Sequence, residues 1–177
     1  MKKFLFALML LPVISGLAQE KSSPSLRSVL LEQLKSTHNK KDWFVPVNIA
    51  VEGLTPEQAM WKDSSGNHSV AQLVSHLIFW NSQQVAKFKG EKGEAFSGNN
   101  DETFAKVDAK SWTLAVKKLD EVLTQLEDLV SKASETQLQA WAGTIANIST
   151  HNAYHTGQII FVRKQHGNWD PEKGVKA

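Results

Sequence analysis

Leu119, Val122, Leu123, Leu126, Leu129 and Val130 recur at close to the 3.6-residue period of an α-helix, so they share one face of an amphipathic helix. That helix is predicted from about Ser111 to Lys132. The same alphabet governs the rest of the chain. Thr55-Pro56-Glu57-Gln58 places a capping side chain, a proline at the first helical position and a glutamine three residues after the cap, which predicts a short helix through Met60 and Trp61. Asp63 to His68 reads as a turn, and Ser69-Val70-Ala71-Gln72 is a second capping box. The helix it opens runs to about Phe88, with Val70, Leu73, Leu77 and Trp80 on its apolar stripe and His76 beside them.

Two further helices complete the pattern. One begins near Pro24 and carries Val29, Leu30, Leu34 and Thr37 on one face, with Pro46 as its limit. After a short Ser134–Trp141 segment, the other runs from about Thr144 to Gln165 and stops at Gly167. Between Lys89 and Lys110 the periodicity fails at Gly90, Gly93, Gly98, Asn99 and Asn100, and a connection of that length is either disordered or functional, often as a lid. Strand signals are nearly absent. Four long helices with connecting loops make an all-α four-helix bundle the economical architecture.

Composition narrows the function. The 177 residues contain no cysteine, which excludes disulfides, thiolate nucleophiles and cysteine-ligated zinc. Lys2 and Lys3, the apolar run Phe4 to Ile14 and Ser15-Gly16-Leu17-Ala18 have the order of a secretory signal peptide, with cleavage expected after Ala18. The run is well short of the ~20 residues that span a bilayer. The expected mature domain, residues 19–177, is secreted or periplasmic. Setting Lys2 and Lys3 aside leaves 18 of the 20 basic residues against 18 acidic ones, so a nucleic-acid partner, which would call for a basic excess, is not expected.

The histidines carry the chemistry. His151 and His155 are four residues apart, about 40° around a helix, so both imidazoles can reach one ion. They lie on the stripe through Ile148 and Val162 and face the interior, and His76 sits on the margin of the core face of a different helix. Facing helices are how bundles assemble metal sites. An interior histidine is nevertheless more often a hydrogen-bonded core residue than a ligand. Asn152 follows His151 where the H-E-x-x-H motif needs a general-base glutamate, so the zincin signature is absent.

The stretch from Gly53 to Gln58, then Trp61, Ser69 to Leu73 and His76-Leu77, together with the segment from His151 to Ile159, resembles the DinB/YfiT-like superfamily. The resemblance extends from about Pro24 to Asn168. It implies an up-down-down-up four-helix bundle, commonly a homodimer, and one divalent ion (nickel, zinc or iron) held at the positions of His76, His151 and His155. It also implies relatives that are thiol-dependent transferases or isomerases. The chain departs from the family pattern at Asp63 and His68, neither in the triad, and its secretory signal separates it from relatives whose thiols are cytosolic.

A three-histidine site leaves an ion its full charge and an open position, suited to a metal-dependent transferase or hydrolase acting on a small molecule. The competing readings are a non-catalytic metal- or ligand-binding bundle and a purely structural or dimerising one. Metal loss is expected as pH falls through about 6.5, the ordinary histidine value. Gln158, about 20° from His151, and Asn147 are candidates to orient the imidazoles or a ligand. Trp80 can line the pocket. Tyr154, about 60° from His151, can point its hydroxyl at a substrate, although packing is the commoner role. His38, followed by Asn39, Lys40 and Lys41, reads as solvated, His166 as a cation at a helix end, and His68 as a capping or packing residue. The six tryptophans read mostly as core, and Asp101 and Glu102 as a solvated loop tip.

Overall fold

The computed structural model describes residues 23–175, so the signal-peptide region and the expected cleavage after Ala18 lie outside the described residues. Among the described residues there are six α-helices and no strand. They are α1 (Leu26–His38), α2 (Val47–Val51), α3 (Pro56–Met60), α4 (Val70–Lys89), α5 (Trp112–Lys132) and α6 (Glu135–Gln165). Two 3-10 turns, Asn100–Thr103 and Pro171–Lys173, interrupt the connections. No helix among the described residues is long and apolar enough to cross a membrane.

Both capping boxes form. Thr55 and Ser69 each accept from the backbone three residues on, while Gln58 and Gln72 reach back to the cap N–H groups. Four orphan donors are thus satisfied where α3 and α4 begin. α4 ends at Gly90, whose φ of 75° gives the left-handed turn that sends the Glu91 N–H back to the Ala86 carbonyl. Gly167 plays the same part after α6, and Asn168 N–H returns to Arg163.

α1 and α4 each pack against both α5 and α6. The α5 stripe supplies Leu119, Val122, Leu123, Leu126 and Val130 to the core, while Leu129 sits at its margin. From α1 come Leu30 and Leu34, but Val29 is 45% exposed and lies off the buried face. α6 differs more from expectation. The Ser134–Trp141 segment is its first two turns, continuous with the rest, because Ser134 caps Gln137 N–H and Leu138 and Ile145 are both fully buried one heptad apart. Gly143 lies within this helix at a cost of about 1 kcal/mol relative to alanine, which the buried face offsets. Arg163, also buried, donates to the carbonyls of Ala50, Glu52 and Asn168 and so fastens α6 to the end of α2.

One side-chain environment differs from expectation. His38 is buried, not solvated: its Nδ1 lies 2.6 Å from Glu127 and its Nε2 2.9 Å from Asp120, both on α5. The lysines that follow it project outward and conceal this from a local reading. The tryptophans are mostly core, as expected: Trp112 is buried and donates to the Leu54 carbonyl, Trp61, Trp141 and Trp169 pack half-buried against the core, Trp80 is half-buried, and Trp43 is 90% exposed in the loop after α1.

Candidate metal centre

α4 and α6 bring the three histidines together. His76, His151 and His155 each offer a ring nitrogen, and these nitrogens lie within 4.8 Å of one another. His76 Nε2 and His151 Nε2 are 3.1 Å apart. The i,i+4 spacing aligns His151 and His155 on one face, with ring centroids 4.5 Å apart, and His76 stands across the helix interface at 4.5 Å from His155. His76 and His155 are buried and His151 is half-buried.

Hydrogen bonds orient two of the rings. The Thr103 hydroxyl donates to the Asn100 carbonyl at 2.6 Å, so its lone pairs are free to accept from His76 Nδ1 at 2.5 Å. The Gln158 side-chain oxygen accepts from His155 Nδ1 at 2.6 Å. With Nδ1 protonated in both rings, the remaining nitrogen, Nε2, carries the lone pair toward the cluster. Two lone pairs cannot face each other at close range without a hydrogen or a cation between them. Burial, then the neighbouring His155, His151 and His68, pushes His76 down to about 3. Burial, then His155, pushes His151 down to about 4. Burial also lowers His155, against the opposing effect of the hydrogen bond it donates to Gln158. His76 and His151 therefore stay neutral well below the ordinary value of 6.5, and proton competition for their nitrogens sets in lower than a free histidine would suggest. Neutral, oriented nitrogen donors fit a borderline ion such as zinc, nickel or iron and do not fit calcium or magnesium, which take oxygen.

The triad forms one end of a cavity of about 640 Å³ between α4 and α6. Trp80 and Asn147 line it, as does Tyr154, which is 63% exposed and not packed in the core. The Tyr154 hydroxyl accepts from Gln158 Nε2 at 3.3 Å, so Gln158 links Tyr154 to His155. Asn147 makes no side-chain hydrogen bond to the histidines. Asp101 and Glu102 are exposed and outside the cavity lining. His68 stacks on Phe104, which stacks in turn on His76, placing His68 one ring beyond the triad. His166 caps α6 and stacks on Trp61 at 4.6 Å.

Several contributors were not legible beforehand. The Lys89–Lys110 connection is laid against α4: Ser75 donates to the Thr103 carbonyl, Gln72 to the Phe104 carbonyl, and Trp80 Nε1 to the Asn100 side chain. It supplies Asn100 and Phe104 to the cavity and Thr103 to His76. The glycines and asparagines that mark a loop say nothing of where it docks. Asn81 of α4 and Asn152 of α6 exchange amide hydrogen bonds of 2.8 and 3.1 Å, and both are 1% exposed. This pair fixes the level of one helix against the other beside His151. Its only sequence signal is an amide on an otherwise apolar face.

The sequence model of the DinB superfamily matches residues 47–159, which include the whole triad and every residue of the cavity. No curated protein and no solved structure matches the chain. With the match extending over well more than half of its length, the chain belongs to the DinB superfamily.

Proposed function

We propose that the protein binds one divalent transition metal through His76, His151 and His155 and uses it in a metal-dependent transferase or hydrolase reaction on a small molecule. The observation that carries this reading is the convergence of three imidazoles, two of them oriented by hydrogen bonds, at the end of a cavity large enough for a ligand. When bound, such an ion supplies Lewis acidity and lowers the pKa of a coordinated water or thiol. The chain's own residues have distinct parts. Thr103 and Gln158 hold Nδ1 protons and so aim the opposite nitrogens, Asn81 and Asn152 set the register, and Trp80 and Phe104 exclude water from one side. The reading extends to an up-down-down-up four-helix bundle, export by the N-terminal signal, homodimer formation and a low-molecular-weight thiol as co-substrate.

A second reading has its own support. None of the residues lining the cavity is Asp, Glu, Lys or Arg, so no ordinary carboxylate or amine base stands beside the triad. This favours a metal site that captures a ligand without turning it over.

Metal analysis of residues 19–177 without a tag, beside His151→Ala/His155→Ala, tests the site. Near one equivalent of transition metal, lost in the double variant, is expected. No metal after reconstitution with nickel, zinc, iron and manganese would overturn both readings. Turnover of electrophilic or ester substrates by the loaded protein separates them.

A further inference from the structure

The cavity is graded along its length. His76, Trp80 and Gln84 follow one another up α4 at intervals of one helical turn, and His151, Asn147 and Thr144 follow on α6 in the opposite chain direction. From His76 to Gln84 is a rise of about 12 Å. The imidazoles occupy one end. An apolar band of Trp80, Phe104 and Ile148 comes next. At the far end stand Gln84 and Thr144, with the exposed Asn147 one turn nearer the imidazoles, and none of these three side chains hydrogen-bonds another side chain or backbone group among the described residues. Asn81 and Trp80, by contrast, are already committed to Asn152 and Asn100.

No charged side chain lines this cavity. Among the residues adjacent in sequence to the lining ones, the single charged residue is Asp101, an exposed acid. A carboxylate brought into the groove would lose hydration and meet no cation in return, whereas an amide or hydroxyl would find free donors and acceptors. We infer that the groove takes a ligand that is uncharged beyond its metal-binding atom: a flat apolar or aromatic body seated on Trp80 and Phe104, with an amide or hydroxyl at the end that meets Gln84, Thr144 and Asn147. A thiol carrying several carboxylates does not fit these walls. The orientation of the ligand rests on the triad holding a metal, while the preference for a neutral tail rests on the walls alone.

A matched pair of probes separates the two. 4-Mercaptobenzamide and 4-mercaptobenzoate share a ring and a thiol and differ in whether the far end is an amide or a carboxylate. Titration of the metal-free and cobalt-loaded protein by tryptophan fluorescence is expected to favour the amide by at least about tenfold in the metal-free form. A filled site narrows that ratio by attracting a second anion. Gln84→Lys is expected to reverse the preference. Equal or tighter binding of the carboxylate by the metal-free protein, or binding of neither probe, would overturn the inference. So would a Gln84→Lys variant, folded by circular dichroism, whose amide preference is unchanged. Cobalt absorption reports the metal reading separately: its absence at the triad sinks that reading and leaves the fluorescence ratio to decide this one.

Discussion

His38 joins α1 to α5 through two carboxylates, and its removal has a cost that can be worked from the geometry. In His38→Ala, Glu127 loses its cationic partner while its side chain is only 13% exposed. Asp120 is 52% exposed and keeps the Asn48 amide at 2.6 Å, so its loss is small, about 0.5 kcal/mol. An uncompensated, nearly buried carboxylate together with the void left by the imidazole sets the larger part, for a total of about 3–4 kcal/mol. In a chain of this size that corresponds to a fall of roughly 10 °C in Tm.

The pH dependence gives the sharper test. Burial lowers the His38 pKa, but the hydrogen bonds and charges of Glu127 and Asp120 more than offset this and raise it above 6.5. A group whose pKa is raised by folding stabilises fully below its unfolded value and loses that contribution as pH rises through the folded one. Asp120 acts in the opposite sense. The Asn48 and His38 hydrogen bonds hold it below 3.8, so its part is present above that value and is lost as pH falls through the depressed one. Urea unfolding of the wild type and His38→Ala should therefore differ most near about pH 6 and least near about pH 9. A difference below about 1 kcal/mol at the lower pH, or one that stays constant across the range, would refute the ion-pair argument.

Other expectations concern the site and the long helix. Asn81→Ala and Asn152→Ala each strand a buried amide and should each cost about 2 kcal/mol, with the double variant less destabilised than the sum by about 1 kcal/mol or more; an additive double-mutant cycle would mean that the two amides do not act as a pair. Thr103→Val removes the acceptor for His76 Nδ1 and should weaken metal binding by about tenfold in calorimetric titration, with Thr103→Ser restoring it. If valine and serine bind metal alike, the hydroxyl does not orient the ring. Gly143→Ala meets nothing within 4 Å and should stabilise the protein by about 0.5–1 kcal/mol in thermal unfolding. A lowered Tm would show that α6 is not a regular helix at that point.

Much of the fold was legible because the relevant physics is local. The capping boxes at Thr55 and Ser69 and the apolar stripe of α5 all depend on groups within a few residues of one another. The i,i+4 spacing of His151 and His155 belongs to the same class, since helix geometry alone sets them side by side. Misreadings arose where a local signal was weak or competed with a distant one. Gly143, a poor helix former, falls between the expected Ser134–Trp141 segment and the helix expected from Thr144, yet Leu138 and Ile145 carry the buried face straight through it. Packing is the commoner role for a tyrosine such as Tyr154, but its place on α6 puts it in the cavity lining, 63% exposed.

What the sequence determined by itself is therefore the helical alphabet, the pairing of His151 with His155 and, through motif likeness, the family. Tertiary structure alone decided which distant groups meet. His38 finds Asp120 and Glu127 more than 80 positions away, His76 receives its orientation from Thr103 in a loop, and Asn81 meets Asn152 across the helix interface. Periodicity states which face of a helix is buried, but not at what height or against which partner. Those are settled only when the helices pack and each buried polar group must find a mate or lose its hydration uncompensated.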